Sequence, residues 1–487
     1  MKSMTKKYLL MALVMFAGFC VNAETAVNGR SAQFAVPVLT GDYADPSIIK
    51  VEGTYYMTHS SFRYAPGLLI WKSTDLQNWT PVTYALQQYH GDVWAPDLVH
   101  YKGKFYIYYP NNFGKFVVTA DTIGGPWSKP VKLECHGIDP GHVVGPDGKR
   151  YLHTSDGYVM PLTDDGLAAA GKQEKVYDGW KYPEAWMTEN FCLESPKLVL
   201  KDGYYHLFCA QGGTAGPSTS HMVVHSRSKT PTGPWENSPY NPVVRTTSRE
   251  EKWWSQGHGT VFEGDKGSWW MVYHAYNSDN LPLGRHTLLA QMGWTPDGWL
   301  KCAGKALPVR TETPVAISDD FTGKQLGMHW QFWDAYEPER VTLANESLTL
   351  KGKGKVAGES SPLCVMARQS RYEVTVDVEI EGDAQAGLLL FYNNKQYVGV
   401  AINGRNVLAG EHGELRVLRD PAERRMQLKI VNDFNDVTFF VNGKKVYNGI
   451  YVGGYSTHTF GGFLALRPAI YCSGEGRAIF RAFKVMP

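Results

Sequence analysis

Apolar and polar residues alternate with a period of two along most of the chain, in short runs closed by Gly-containing turns. That is the pattern of half-buried β-strands rather than of helices. The stretch NFCLESPKLVLKDGYYHLF, residues 190–208, is typical. Asp202-Gly203 is a turn dipeptide between strand formers, so the stretch predicts a β-hairpin. Its first strand nevertheless carries an acid, Glu194, beside Cys192, Leu193, Leu198 and Val199. A carboxylate among such neighbours is either an exposed strand position or a group held in a pocket for chemistry.

The same phrase recurs: a Gly turn, an aromatic strand, a second strand, and often a turn with Trp. It runs as EGTYYMTHSSF with WKSTDLQNWTPV (52–82), KGKFYIYYP with VTADTIGGPWSKPV (102–131) and PDGKRYLHTS (146–155). It returns as KDGYYHLFCA with VVHSRSKTPTGPWENSP (201–239) and KGSWWMVYHA with LLAQMGWTPDGWL (266–300). About five copies at intervals of roughly 45–65 residues mark a repeat array. Few amphipathic helical patterns interrupt them. Five small antiparallel sheets close naturally as a five-bladed β-propeller, expected over 36–310, and the regular spacing counts against a flat sandwich there. After Pro308 the texture changes. ISDDFTGKQLGMHWQFW (317–333) opens a region of alternating strands such as YEVTVDVEI, AGLLLFYN and VTFFVNGKKVY. These lack the repeated phrase and predict a β-sandwich over 318–487, with a hairpin at Asn442-Gly443. The fold class is all-β, with the boundary near 310–318.

Composition supports two domains, since 487 residues exceed what one core usually holds. Lys plus Arg number 49 against 47 for Asp plus Glu, so no electrostatic footprint for nucleic acid or an anionic membrane is present. The N-terminus reads as a leader: Lys2, Lys6 and Lys7 precede an apolar run from Tyr8 to Phe19, too short to span a membrane comfortably. Val21-Asn22-Ala23 offers small residues for cleavage before Glu24, so 1–23 is expected to be a signal peptide and the mature protein periplasmic or secreted. Lipidation at Cys20 is disfavoured by the bulk of Phe19. No later segment is apolar enough to span a bilayer. The remaining cysteines are scattered without CxxC pairs, which indicates neither a zinc site nor a disulfide scaffold. Cys192 and Cys209 fall nearly opposite each other across the hairpin; an exported protein could bridge them, and two buried thiols are the expectation.

Three acids stand at equivalent places in the repeats. Asp45 (DYADPSIIKVEGTYY), Asp139 (GIDPGHVVGPDGKRYL) and Glu194 (LESPKLVLKDGYYHL) are each followed within two residues by Pro, then by an apolar strand, a Gly turn and an aromatic strand. A lone Asp-Pro is usually a turn; three acids in register converge on a propeller's central channel. Pro restricts the residue before it, so extended backbone is expected there. Hydrolysis of a glycosidic bond needs such a set: one carboxylic acid protonates the leaving oxygen while a carboxylate activates water.

In this order ADPS, SSFRYAPGLLIWKSTDLQNW, VWAPDL, GIDP, ESPKL, AQGGT, QGHGT and LGRHTLLAQMGW span much of the chain. The series resembles glycoside hydrolase family 43, and most closely its two-domain β-xylosidase-like members, over roughly residues 36–487. The resemblance implies a propeller with a concanavalin A-like sandwich and an exo-acting, inverting glycosidase that releases a terminal pentose from oligosaccharide or polysaccharide side chains. β-D-Xylosidase comes first, then α-L-arabinofuranosidase and galactofuranosidase; a carbohydrate-binding propeller without catalysis is the rival from another class. By resemblance Asp45 is the general base, Asp139 orients and tunes the acid, and Glu194 is the general acid, which places Glu194 in a pocket. Arg285 and His258 resemble residues of the sugar subsite and channel centre; Phe62 and Trp94 are candidates for the apolar walls of the pocket, since rings stack against the C–H faces of sugars. Of Trp253 and Trp254, one is expected to pack between blades. No cofactor is required by the resemblance, which allows a structural calcium ion near His258. Ser195 stands where the family usually has Gly, and Gly141-His142 replace a small-plus-apolar pair, departures that bear on the aglycone.

Overall fold

The structure, a computed structural model, describes residues 35–304 and 316–487, so the leader and the middle of the interdomain connection lie outside the described residues. The repeated phrases form five antiparallel sheets. The first four blades begin with strands Ser47–Val51, Asp97–Tyr101, Gly141–Val144 and Glu194–Lys201. The fifth begins with Trp253–Glu263, and its fourth strand is the N-terminal Val36–Leu39, paired with Arg285–Trp294. The two ends of the propeller sequence thereby share one blade, which closes the ring. First strands of successive blades pack against one another around that ring. Three blades turn from first to second strand through Glu52-Gly53, Lys102-Gly103 and Asp202-Gly203, and both residues of each pair have positive φ. Such a two-residue turn matches the twist of the flanking strands and favours Gly second.

Residues 317–486 supply all eight strands of one sheet and seven of the eight strands of a second, packed face to face. Strand Arg371–Glu381 shows the strict inside–outside alternation that its sequence predicts. The hairpin at Asn442-Gly443 joins Asp436–Val441 to Lys444–Tyr451. One feature was not legible in the repeats. Tyr64–Ala65, inside the first blade's sequence, leaves the propeller and pairs with Gln331–Trp333 as an edge strand of a sandwich sheet. The apolar cluster around it joins Ala44, Phe62, Tyr64 and Leu283 to Phe332, Trp333, Leu363 and Phe391. Arg63 adds an ion pair to Asp334. Cys192 and Cys209 are free thiols, the first half-buried and the second buried.

Candidate active site

The three acids stand at the starts of the first, third and fourth blades. Asp45 and Asp139 have φ of 59° and 53°, and each precedes Pro; in the fourth blade Ser195, before Pro196, has φ of 51°. The extended backbone expected before each Pro is therefore not what forms. Pro blocks the right-handed helical region for its predecessor, and these corners use the left-handed region, which Asp tolerates better than most residues. Glu194 sits one residue ahead of the left-handed position and is already in its strand, opposite Ala210. A shared corner thus presents an Asp in two blades and, one residue out of step, a longer Glu in another.

Asp45 is 6% exposed and fully engaged. Its Oδ1 lies 3.3 Å from Arg285 Nη1, 3.0 Å from His274 Nδ1 and 3.3 Å from His258 Nδ1. Ser60 Oγ donates to its Oδ2 at 2.5 Å. The Asp45 backbone N–H donates to His274 Nδ1 at 3.2 Å, and His274 Nε2 lies 3.1 Å from the Thr214 hydroxyl, so both ring nitrogens are engaged. Burial alone would raise the Asp45 carboxyl, but Arg285, His258 and His274 outweigh it and hold the group well below the ordinary carboxylate range.

Asp139 and Glu194 have the opposite environment. Burial, then the charge of Asp45, pushes Asp139 up to about 7, against the Lys197 and Arg285 cations and a hydrogen bond from the Ser195 backbone N–H. Burial, then Asp139 and Asp45, raises Glu194 well above its usual value. The two acids are brought together by a close approach of backbones. A Cβ on Gly141 would lie 1.6 Å from the Pro196 carbonyl oxygen, so only Gly fits there. Glu194 is half-buried and also lines an open cavity of about 350 Å³ with Lys115, Ile138, Ser155, Asp156, Cys192 and Leu193.

Arg285 is 3% exposed and held between two rings, Phe62 at 5.3 Å and Phe463 at 5.1 Å. Its backbone N–H donates to Asp42 Oδ1 at 3.1 Å. Its Nε and Nη2 are buried with no partner among the described residues, which leaves two donors for a guest. His258, φ 57°, sits 3.3 Å from Asp45 and 3.9 Å from Asp139, and burial lowers it to about 3, so it is neutral. The QGHGT frame has a steric reason, because a Cβ on Gly257 would strike the His221 ring at 1.8 Å. Trp94 is brought beside Phe62 by the Phe62–Val93 bridge, and it packs on the interdomain cluster. Trp253 is core, while Trp254 is half-buried and donates Nε1–H to Arg249 O. Asp45, His258 and His274 offer ligand atoms within 4.8 Å of one another. They do not suit calcium, which takes six to eight oxygens, and a guanidinium already occupies the same carboxylate oxygen.

Several participants escaped the sequence reading. Ser60, Thr214 and Lys197 lie inside the motifs SSF, AQGGT and ESPKL, where they served only as landmarks. His274 falls in an aromatic strand as one more alternating residue. Phe463 comes from the sandwich, more than 400 positions from Asp45, and no local signal points to it.

A propeller with three carboxylates gathered at the starts of its inner strands, joined to a sandwich that reaches the same pocket, is the architecture of a class of glycosidases. Residues 34–300 match the family described as Glycosyl hydrolases family 43, and residues 318–483 match the Beta xylosidase C-terminal Concanavalin A-like domain. The chain belongs to glycoside hydrolase family 43, and it is an enzyme that hydrolyses O-glycosyl bonds, not a non-catalytic propeller. It is 28% identical to a non-reducing end α-L-arabinofuranosidase of Bacteroides ovatus, over 98% of this chain and 97% of that one. It is 27% identical to a xylan 1,3-β-xylosidase of a Vibrio species, over 84% and 89% of the two chains. A family 43 protein from Bacillus licheniformis superposes with a TM-score of 0.81 at 25% identity, covering 93% of this chain and 99% of that one.

Proposed function

We propose that this enzyme removes a terminal pentose from glycan chains in one inverting step, with β-D-xylosides as the first substrate class. Asp45 is the general base, Glu194 the general acid, and Asp139 the neighbour that raises and orients Glu194. One observation carries the reading: the environments push the carboxyls apart, Asp45 toward the anion and Glu194 toward the neutral acid. Paired groups driven in opposite directions divide into base and acid at neutral pH. Asp45 takes a proton from water as it attacks the anomeric carbon; Glu194 gives its proton to the departing glycosidic oxygen. Arg285 Nε–H and Nη2–H, without a partner among the described residues, hydrogen-bond sugar hydroxyls, and the rings of Phe62 and Phe463 wall the subsite. Asp45 and Glu194 come from blades that are not neighbours in the ring, which favours the wider carboxyl spacing of roughly 6.5–9.5 Å that admits a water. Proton NMR of the first product, before mutarotation, tests this: the anomer opposite to the substrate is expected, and retention overturns the mechanism.

α-L-Arabinofuranosides are the second reading, favoured by the end-to-end likeness to the B. ovatus enzyme. Release from aryl β-xyloside, α-arabinofuranoside and galactofuranoside substrates separates these readings. The leader supports export to the periplasm or medium, with Glu24 expected as the first residue on N-terminal sequencing of the mature protein. Among the described residues no helix is long and apolar enough to cross a membrane.

A further inference from the structure

Beneath the three acids lies a buried ion pair that the mechanism above does not use. Lys197, 5% exposed, donates from Nζ to Asp97 Oδ1 at 2.8 Å, Pro96 O at 3.0 Å and Pro140 O at 2.8 Å. All three ammonium protons are thereby spent. Asp97 Oδ2 accepts from the His142 backbone N–H at 2.7 Å, and Oδ1 also faces Ser47 Oγ at 3.5 Å. Ser47 Oγ in turn accepts from Leu98 N at 2.9 Å. This one network ties the starts of four blades. Its anchors lie two residues after Asp45, one and three after Asp139, and three after Glu194.

The segment Asp139–His142 is the most tightly held of these. Lys197 grips the Pro140 carbonyl and Asp97 the His142 N–H, while Gly141 between them touches Pro196 with no slack. Asp139 keeps its left-handed backbone inside that clamp. Burying two charges costs desolvation energy, and an apolar pair would fill the same space, so packing alone does not account for an ammonium here. We propose that Lys197 is a positioning residue: through Asp97 and the Pro140 carbonyl it fixes where Asp139 stands against Glu194, and its charge keeps their shared proton on Glu194. The inference rests on the reading of Glu194 as the acid.

The groups that face the pair leave the sign clear. Asp139 is faced by Asp45, His258, Arg285 and Lys197. Glu194 is faced by Asp139, Asp45, Glu189 and Arg285, with Lys115 and Asp156 across the open cavity. Behind Asp97, Arg150 Nε donates to His142 Nε2 at 2.9 Å. Lys197 acts on Asp139 more than on Glu194. Removing it makes Asp139 the better proton holder and raises both titrations of the dyad.

The test compares Lys197→Met with Lys197→Arg on two aryl glycosides, one with a poor and one with a good leaving group. Melting temperature and the pH profile of kcat/KM are recorded for each. Lys197→Met should lose about tenfold or more in kcat on the poor leaving group and only a few-fold on the good one. KM should stay within about twofold. The pH profile should move to higher pH, and Lys197→Arg should bring it back. Should Lys197→Met not fold, Lys197→Met with Asp97→Asn removes both buried charges and should keep the leaving-group discrimination. Equal losses on both substrates, an unmoved pH profile, or an Arg variant no better than Met overturns the proposal. Glu194→Gln, measured alongside, separates the two assignments. If Glu194→Gln does not discriminate between leaving groups, the acid assignment fails; if it does and Lys197→Met does not, only the role of Lys197 falls.

Discussion

Glu194 begins a strand whose neighbours are apolar, and its strand partner Ala210 is fully buried. The alternation in the sequence marked it as out of place but left open whether it was exposed. What decides is the environment: burial first, then two like charges, keep the proton on it. Replacing Glu194 by Gln should therefore cost roughly 10²–10⁴ in kcat on substrates with poor leaving groups, and little on activated aryl glycosides. Asp45→Asn should damage both classes alike, because both need an activated water; near-normal turnover would remove Asp45 from the role. The pH profile follows from the same groups. Asp45 is held low and stays ionised through the mildly acidic range, so the acid side of the kcat/KM curve lies at low pH. The alkaline side belongs to the Asp139–Glu194 dyad, which titrates as a pair. Asp139→Asn removes a negative neighbour, lowers Glu194, and should move the alkaline limb to lower pH, opposite in sign to the loss of Lys197. The acids themselves were legible because each is followed within two residues by Pro, then by an apolar strand, a Gly turn and an aromatic strand. His274 and Ser60 were not, since a histidine in an aromatic strand and a serine beside one carry no mark until the chain folds back 229 and 15 residues to Asp45.

At the scale of the elements, the blades were legible and their corners were not. Gly turns, aromatic strands and spacing specify small antiparallel sheets, and three of the five first turns use an x-Gly pair with both φ positive. The local rule for residues before Pro predicts extended backbone, yet Asp45, Asp139 and Ser195 all turn left-handed. Tertiary contacts over-determine these corners: Thr260 Oγ1 donates to the Pro46 carbonyl at 2.7 Å and Lys197 to that of Pro140 at 2.8 Å. Such strain persists where the surroundings enforce it. The closest passage is Gly141 against Pro196, where no flexible side chain can yield. Gly141→Ala should therefore push the third and fourth blades apart. A loss of stability of about 1–3 kcal/mol is expected from overpacking, with a larger fall in kcat than in substrate binding. A thermal melt and initial rates check it, and an unchanged melting temperature would mean that the two backbones separate freely.

The whole molecule is less modular than its sequence. The change of texture after Pro308 separates two domains cleanly on paper, but the first blade lends Tyr64–Ala65 to a sandwich sheet, and one apolar cluster runs through both. Arg467 of the sandwich stacks on Tyr64 at 3.5 Å, and its Leu466 N–H donates to Pro282 O at 2.8 Å. Tyr276 and His458 meet edge to face across the same junction. These contacts bring a residue of the sandwich into the pocket. Phe463, φ 51° and 36% exposed, stands 5.1 Å from the Arg285 guanidinium, on which Phe62 also packs at 5.3 Å. Arg285 carries the free donors proposed for sugar hydroxyls, so Phe463 both steadies that cation and covers the subsite. A cation–π contact of this kind contributes about 0.5–2 kcal/mol, which corresponds to a few-fold to about thirtyfold in binding. Phe463→Ala should accordingly raise KM within that range and leave the melting temperature nearly unchanged, because a partly exposed ring at a loop contributes little to the core. If Phe463 only braced the domains, the melting temperature would fall and KM would stay, and the sandwich would have no part in holding substrate.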